Sequence, residues 1–428
     1  ENEMGVPSVS PDSLIAVRRF SSSIAGVDSD PLGNIYVAGS TTTSTIFTQS
    51  TDSRSPQGIY SSARAFLARN PSGRTGLTVL PRTPLRIKVA GTNGVPATGV
   101  GAVSMNVTVT SPDGEGFITV YPCDSKPDAS NLNYTLDQTV PNAVIAPVSS
   151  TGDVCFYTYA KTHLIADVNG YFPTGSGFVS NTPARVIDTR VGSAQGLRTV
   201  SKTKVGNGTE LRVQLTNLPG GITPATGVGA VSLNVTVTGS RAPNEGGFVT
   251  VYPCGNRPDA SNLNFQSGQT VPNAVVAPLS NSGKVCFYVY GKAHLLADVS
   301  GYFTAGFSAL SAPTRLLDTR GSGNKVGKTD GTGTAYELTV AGSSGLPAAG
   351  TLGTVAMNVT VVDGEATDVG GYVTVYPCGT RPNSSNLNFV NGQTVPNAVI
   401  ASVSNTGKVC FYVYGKAHLL VDAAGYFG

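Results

Sequence analysis

The residues best suited to chemistry lie in one short segment that occurs three times. GKAHLLADVSGYF at 291–303 combines a lysine, a histidine, an aspartate and a tyrosine, and near copies occupy 160–172 and 415–427. A histidine beside an aspartate can transfer protons or bind a metal ion. The segment alternates as a β-strand, however, and four strand residues separate His294 from Asp298 by about 13 Å at roughly 3.3 Å per residue. Within one copy, these side chains are too far apart to share a proton or a metal ion.

The same alternation assigns the side chains of this segment to two faces of a sheet. The apolar face is predicted to belong to the core and contains Ala293, Leu295, Ala297 and Val299. The opposite face contains Lys292, His294, Leu296 and Asp298. The segment is therefore predicted to be a structural strand.

The aspartate of this strand has a candidate partner early in each repeat. ARVIDTR ends in Arg190, and we hypothesise that this arginine pairs with Asp298 and joins the first strand of the repeat to the last. The equivalent arginines and aspartates of the three repeats are Arg69 with Asp167, Arg190 with Asp298, and Arg320 with Asp422. Repeat 1 replaces the Asp-Thr of this motif by Leu67 and Ala68. A functional site built on Asp-Thr-Arg would therefore be lost in repeat 1.

The whole chain follows the same repeating order of motifs. Each repeat contains NVT, TVYPC, SNLN, PNAV and then the opening segment. Units of about 110–130 residues have the size of independent domains and far exceed the period of solenoid repeats. We predict an N-terminal arm and three tandem domains, bounded at 1–60, 61–173, 181–303 and 310–428.

The six cysteines occur as one equally spaced pair in each repeat. Pairing within repeats is the simplest connectivity and predicts the disulfides Cys123–Cys155, Cys254–Cys286 and Cys378–Cys410. Each would stabilise its domain by roughly 3–4 kcal/mol in the chain-entropy model. A zinc site is the rival interpretation, but two thiols and one histidine per repeat fall short of four ligands. Disulfides indicate an oxidising compartment.

Composition limits the possible partners. Charged residues make up 12% of the chain and the net charge is +3, so no basic patch for nucleic acid or anionic lipid is predicted. No apolar run is long enough to span a membrane. Residue 1 is Glu, and no basic and apolar leader follows it, which is typical of a secreted protein whose signal peptide has been removed. An extracellular or cell-surface location is expected.

Local sequence patterns indicate an all-β protein. Short runs rich in Val, Tyr, Phe and Thr, such as FVTVYP and KVCFYVY, are bounded by Gly, Asn, Asp and Pro, as strands and turns are. About eight strands per repeat predict three tandem antiparallel β-sandwich domains, of jelly-roll or immunoglobulin-like type, plus an N-terminal β segment. The sequence does not choose between these two topologies.

The repeated asparagines also have two interpretations. Three of them begin NVT sequons, which match the N-glycosylation signal: Asn106, Asn234 and Asn358. These sequons lie in alternating strands rather than in surface loops, so a structural role is favoured. Others lie near strand ends, where amides satisfy backbone groups in turns: Asn262, Asn264 and Asn273.

Carbohydrate binding stays open as an alternative, whereas catalysis receives no support. Carbohydrate sites usually present flat aromatic side chains, but the chain has no Trp. Its tyrosines recur in VYP, FYVY and GYF, where cross-strand packing is the ordinary role. Lone histidines without clustered carboxylates provide no nucleophile with a base and no metal centre. No catalytic residue, metal ligand or cofactor is predicted.

Together, these motifs resemble a repeat domain common in secreted and surface proteins of actinobacteria and related bacteria. The shared pattern is P-x-R-x-x-D-T-R, N-V-T, T-V-Y-P, S-N-L-N, P-N-A-V and H-L-x-x-D-x-x-G-Y-F, and it covers 63–428. The resemblance implies an extracellular, modular protein without an agreed biochemical activity. Separately, GVDSDPLGNIYVAGST at 26–41 resembles one copy of a bacterial repeat that builds β-propellers, although one blade cannot close a propeller.

Two classes of function follow from these expectations. In the first, the protein is a structural subunit of an extracellular filament, sheath or surface layer; in the second, it is an adhesin or glycan-binding module. Short linkers carry Phe178 and Phe307, which are expected to be buried at domain junctions and to make a semi-rigid rod. The sequence stops after the last strand without an anchoring segment, which favours assembly with other copies.

The N-terminal arm supplies candidate strands for such assembly. Segments 13–20, 34–40 and 44–50 are strand-like, and 30–34 supplies a turn. Three short strands bury too little surface to be stable alone, so they dock either on repeat 1 or on a neighbouring subunit. In the second case a strand would add to a sheet edge of repeat 3 of the next subunit. The predicted assembly strand contains Ser13, Leu14, Ile15, Ala16, Val17 and Phe20.

Overall fold

The computed structural model divides the chain into two compact units, 1–48 and 49–428. It describes residues 24–29, 35–39, 64–66, 77–92, 94–206, 208–368 and 370–427. In the first unit, β1 (Ile24–Ser29) and β2 (Ile35–Gly39) form an antiparallel hairpin. The predicted strand at 34–40 thus coincides with β2, whereas those at 13–20 and 44–50, including Ser13 to Val17 and Phe20, lie outside the described residues.

The second unit contains the three repeats, whose strands follow the same order. Repeat 1 has β3 (Arg64–Phe66), β4 (Leu77–Val79), β5 (Leu85–Lys88), β6 (Val100–Thr110), β7 (Gly116–Tyr121), β8 (Leu132–Tyr134), β9 (Val140–Pro147), β10 (Asp153–Thr158) and β11 (Thr162–Pro173). Repeat 2 has β12 (Phe178–Asp188), β13 (Val205–Gly206), β14 (Glu210–Gln214), β15 (Ala230–Arg241), β16 (Gly247–Pro253), β17 (Leu263–Phe265), β18 (Val271–Pro278), β19 (Lys284–Tyr290) and β20 (Lys292–Phe303). Repeat 3 has β21 (Ser308–Asp318), β22 (Tyr336–Thr339), β23 (Thr354–Glu365), β24 (Gly371–Pro377), β25 (Leu387–Phe389), β26 (Val395–Ser402), β27 (Lys408–Tyr414) and β28 (Lys416–Phe427). Short 3-10 turns occur at Pro219–Gly221 and Thr319–Ser322.

Each repeat is built from two antiparallel sheets, which we call the inner and the outer sheet. The inner sheets have the orders β3-β11-β6-β9, β12-β20-β15-β18 and β21-β28-β23-β26, and β4 and β13 also pair with β11 and β20. The outer sheets have the orders β5-β10-β7-β8, β14-β19-β16-β17 and β22-β27-β24-β25. The predicted all-β class is confirmed. Without β4 and β13, each repeat has eight strands in two sheets of four.

The inner and outer sheets of a repeat share one hydrophobic core. In repeat 2, Val231 and Leu233 of the inner sheet pack with Val249 and Phe287 of the outer sheet, and all four side chains are buried. Fully burying such a side chain contributes about 1.5–3 kcal/mol. The predicted core face of the opening segment is confirmed, since these residues belong to the same cluster: Ala293, Leu295, Ala297 and Val299.

Disulfides reinforce the outer sheets. The structure contains the three predicted pairs, with Cα atoms 4.8–4.9 Å apart: Cys123–Cys155, Cys254–Cys286 and Cys378–Cys410. In repeat 2, Cys254 directly follows β16, and Cys286 lies in the neighbouring strand β19. Each bridge therefore staples the end of one strand to its neighbour and fixes the start of the loop that follows.

The repeats close into a ring instead of extending as a rod. β9, β18 and β26, one from each inner sheet, contact one another pairwise, so repeat 3 meets repeat 1 as well as repeat 2. The prediction of a semi-rigid rod is therefore wrong. The linkers between consecutive repeats, 174–177 and 304–307, have four residues each and let each repeat turn about a common pseudo-threefold axis, and this arrangement buries one face of every inner sheet.

Candidate functional site

Six buried asparagines on the inner sheets join the repeats in a cycle. Asn142 of repeat 1 donates a hydrogen bond through Nδ2 to Oδ1 of Asn234 in repeat 2, at 2.8 Å. The equivalent bonds run from Asn273 to Asn358 at 2.8 Å and from Asn397 to Asn106 at 2.9 Å. The last bond links repeat 3 back to repeat 1, so the three repeats are joined in a closed cycle. We call this set the asparagine ring.

Two further hydrogen bonds complete each junction of the asparagine ring. Between repeats 1 and 2, Ala274 N donates to Asn142 Oδ1 at 3.0 Å, and Asn234 Nδ2 donates to Ser130 O at 2.7 Å. The same pair of bonds recurs at the other junctions at 2.7–3.1 Å. Each bond contributes about 1 kcal/mol net, but a buried group left without its partner costs about 1–3 kcal/mol.

Sequence reasoning predicts a structural role for these asparagines but not their partners in other repeats. Asn262 binds a backbone group of its own repeat, since its Oδ1 accepts from Val251 N of β16 at 2.7 Å. Asn273 also donates to Asn262 O of its own repeat, and in addition both Asn273 and Asn234 bind across repeats. The available signal was a polar amide in the middle of an otherwise apolar strand. Such a residue needs a buried partner, but one sequence does not say where that partner lies.

An aromatic cluster forms a second contact between the repeats. Phe172, Phe303 and Phe427 end the three GYF motifs, and their ring centroids lie 5.7–5.9 Å apart pairwise. Phe178 is 6% exposed and lies 4.7 Å from Phe172 and 4.6 Å from Phe303. Phe307 lies 5.1 Å from Phe303 and 5.0 Å from Phe427. The structure thus brings both linker phenylalanines to junctions between repeats.

The glycine of the GYF motif makes room for this cluster. A Cβ atom added to Gly301 would lie only 2.5 Å from the Phe178 ring. A side chain at this position would therefore displace Phe178 from between Phe172 and Phe303.

The predicted pairing of Arg190 with Asp298 is wrong. Asp298 is paired with Arg185, whose Nε contacts Oδ1 and whose Nη2 lies 3.4 Å from Oδ2. Arg190 instead binds Asp188 at 2.6 Å and also donates its backbone N–H to that carboxylate. The strand register explains the difference, because Arg185 lies directly opposite Asp298 in β12 and β20, whereas Arg190 follows the end of β12.

Repeat 3 shows the same correction, and repeat 1 differs from both. Arg315, not Arg320, pairs with Asp422, and Arg320 binds Asp318 at 2.6 Å. Arg69 of repeat 1 lies outside the described residues. There the register places Ala65 opposite Asp167. Asp167 Oδ1 is buried and has no hydrogen-bond partner among the residues whose side chains the structure describes.

The pKa of each of these carboxyl groups depends on its burial and on its charged neighbours. Burial raises the pKa of Asp298 to about 6 even though Arg185 opposes the shift. Burial alone raises the pKa of Asp167 to about 7. Burial would also raise the pKa of Asp188, but the hydrogen bonds from Arg190 outweigh it and lower this pKa to about 2. Of these carboxyls, Asp298 joins two strands through Arg185.

The histidines of repeats 2 and 3 also form contacts that connect the last strand of the repeat to the segment after its first strand. His294 Nδ1 lies 2.9 Å from Thr189 O, and Thr189 Oγ1 accepts from Leu295 N at 2.8 Å. In repeat 3, Thr319 Oγ1 lies 3.4 Å from His418 Nδ1. Burial lowers the pKa of His294. Within the described part of the chain, no three His, Cys, Asp or Glu side chains are placed to hold a metal ion.

A small cavity lies where the three inner sheets meet. Its volume is about 40 Å³, and equivalent positions of the three repeats line it: Ala143, Ala274 and Ala398 with Val144, Val275 and Val399. This space admits water but is far smaller than the roughly 300–1,000 Å³ of small-molecule sites. The arrangement fits a packing core rather than a substrate pocket.

Comparisons with known proteins show only distant likeness. No family model and no curated protein matches the sequence. Similar solved structures include one of Sulfolobus Turreted Icosahedral Virus, with 9% identity over 87% of this chain and 92% of that chain and a TM-score of 0.22. Another is a triple jelly roll from an archaeal virus turret, with 10% identity over 86% and 91% of the two chains and a TM-score of 0.21. A third is the CBM22-1–CBM22-2 tandem of Paenibacillus barcinonensis Xyn10C, with 13% identity over 58% and 94% and a TM-score of 0.18. Likeness this weak carries no argument about function. No helix among the described residues is long and apolar enough to cross a membrane.

Proposed function

We propose that the protein is a structural subunit of an extracellular bacterial assembly, such as a filament, sheath or surface layer. Three disulfides favour an oxidising compartment. The low charge content, 12% of residues, favours close contact between copies rather than mutual repulsion. In this role each copy is a preformed block of three jelly-roll sandwiches.

The observation that carries the proposal is the closed asparagine ring. Because the cycle links repeat 3 to repeat 1, no repeat can move away without breaking both of its junctions. Each junction contains three hydrogen bonds between buried groups, and the aromatic cluster adds to them. The hydrogen bonds between the inner sheets therefore make the three-repeat unit rigid, which is the property a load-bearing subunit needs.

We further propose that copies associate head to tail through the N-terminal arm. Residues 13–20 alternate as a strand in the sequence and would add to an edge of repeat 3 in the next copy, where main-chain hydrogen bonds give strength. β22 is a suitable edge, because β27 is its only strand partner in the described part of the outer sheet. Such a contact is heterologous and does not close, so it generates a filament.

The test compares the full chain with two variants by negative-stain microscopy. Deleting residues 1–50 removes the arm, and Ile15→Pro keeps its length but removes a backbone donor from the proposed strand. We expect both variants to remain folded and disulfide-bonded, as seen by circular dichroism and thiol titration, but to form single particles. The proposal of strand donation is wrong if either variant still forms the same polymers as the full chain, or if the full chain forms none.

A further inference from the structure

The solvent-facing side of each outer sheet carries three aromatic rings at equivalent positions. In repeat 2, Phe248 of β16 lies opposite Tyr290 of β19, with centroids 5.3 Å apart and planes 27° from parallel. Tyr288, two positions before Tyr290 on β19, lies 6.0 Å from Phe248. We call each such set an aromatic strip. The strips are Phe117 with Tyr157 and Tyr159, Phe248 with Tyr288 and Tyr290, and Tyr372 with Tyr412 and Tyr414.

In each aromatic strip, a cation lies above the ring of one tyrosine, which is Tyr157, Tyr288 or Tyr412. Lys126 Nζ lies 4.8 Å from the Tyr157 ring centroid, and Arg257 Cζ lies 4.0 Å from that of Tyr288. Arg381 Cζ lies 3.7 Å from the centroid of Tyr412. Cations at this distance are attracted by the ring. All three cations are exposed, and none forms an ion pair within the described residues.

The disulfides hold the cation and the rings together. Arg257 follows Cys254 by three positions, and Cys254 is bonded to Cys286, which lies two positions before Tyr288. The spacing recurs in the CDSK and CGTR segments that contain Lys126 and Arg381. The loop is therefore anchored beside the ring that its cation covers. The cation and the ring are therefore already in position in the unbound protein, which reduces the conformational entropy lost on binding.

The aromatic rings and the cation of each strip indicate which class of ligand the strip can bind. Nearly parallel aromatic rings on an open sheet face suit the flat C–H faces of sugar rings. An exposed guanidinium or ammonium without an internal carboxylate suits an anionic group, and arginine binds carboxylates through two parallel hydrogen bonds. We propose that the three aromatic strips bind an acidic polysaccharide, with a uronic-acid carboxylate at Lys126, Arg257 or Arg381.

The arrangement favours a polymer over a small ligand. The strips of repeats 1 and 2 are partly exposed, whereas Tyr412 of repeat 3 is only 5% exposed and donates a hydrogen bond to Gly331 O at 2.9 Å, so one chain presents two open strips and a third that is partly covered. Several weak contacts to one long chain then combine into tight binding through effective concentration. This role is independent of self-assembly, because none of its residues belongs to the N-terminal arm or to the asparagine ring.

The test uses the full chain, with polygalacturonate as the acidic ligand and its fully methyl-esterified form as the neutral match. We expect affinity electrophoresis to show retardation by polygalacturonate only. The triple variant Lys126→Gln, Arg257→Gln, Arg381→Gln should bind at least tenfold more weakly. The matched control is Arg86→Gln, Arg212→Gln, Lys408→Gln, which removes one cation per repeat from outer-sheet positions that are already ion-paired. The control should keep the affinity of the unmodified chain.

Four results would overturn the proposal. These are no binding of polygalacturonate, equal binding of the methyl ester, equal loss in the control variant, or equal retardation by poly-glutamate. The last result would assign the strips to acidic peptides. A second triple variant, Tyr159→Ser, Tyr290→Ser, Tyr414→Ser, separates ring stacking from charge, and undiminished binding by this variant would also contradict the role of the strips.

Discussion

Repeats 1 and 2 carry the same buried aspartate on their last strand but surround it with different groups. Asp298 of repeat 2 lies opposite Arg185 and is paired with it, whereas Asp167 of repeat 1 lies opposite Ala65. Burial raises both pKa values, to about 6 for Asp298 and about 7 for Asp167. The comparison shows that the strand register, and not the aspartate itself, decides which residue lies directly opposite the buried carboxyl.

The largest expected effect comes from removing the arginine in repeat 2. Arg185→Ala leaves Asp298 buried without its partner, and breaking a buried pair in this way typically costs about 3–5 kcal/mol. We expect a loss of this size in the free energy of unfolding at pH 8, measured with guanidinium chloride. The loss should be smaller at pH 5, because the carboxyl can then take up a proton as Asp167 does.

The matched control for this variant is Arg190→Ala. Arg190 is 46% exposed and binds Asp188, which keeps a second partner in Arg185 at 3.1 Å, so its loss should cost less than the loss of Arg185. Equal losses for the two variants would contradict the corrected pairing.

A smaller effect is expected from opening one junction of the asparagine ring. Asn273→Ala removes the side chain that binds Asn358 and accepts from Ala398 N, and it leaves both groups buried without that partner. We expect a loss of about 2–4 kcal/mol in the free energy of unfolding. Asn264→Ala is the control, because the side chain of Asn264 accepts from Ser261 Oγ in its own repeat and binds no other repeat within the described residues. If the two variants are equally stable, the junction contributes less than its geometry indicates.

The sequence was sufficient for features that depend on local pattern. The strand alternation of 292–299, the cysteine pairs and the all-β class are each contained in one repeat and repeated three times, so short-range reasoning predicts them. The face that Asp298 occupies was also predicted.

Features that depend on the arrangement of the repeats were not predictable in this way. Arg185 and Arg190 lie five positions apart in one motif, and only the strand register decides which of them lies opposite Asp298. Asn273 finds its partner in another repeat, and a linker of fixed length is compatible with a rod as well as with a ring. One sequence specifies that a buried amide needs a partner but does not specify where the partner lies.

The smallest expected effect differs in size between the two aspartates. Asp167→Asn removes a carboxyl whose folded pKa, about 7, lies above the unfolded value of about 3.9. For a raised carboxyl pKa, the stabilising contribution is present below the unfolded pKa and is lost as the pH rises through the folded one. The unmodified protein should therefore lose stability between about pH 4 and pH 7 through this group, and Asp167→Asn should be more stable than the unmodified protein at pH 8 by about 1–2 kcal/mol. Asp298→Asn should gain less stability at pH 8, because the pKa of Asp298, about 6, lies closer to the unfolded value and Arg185 would lose its charged partner. Guanidinium titrations of both variants from pH 5 to pH 8 measure this difference, and a destabilised Asp167→Asn at pH 8 would show that its carboxylate is paired after all.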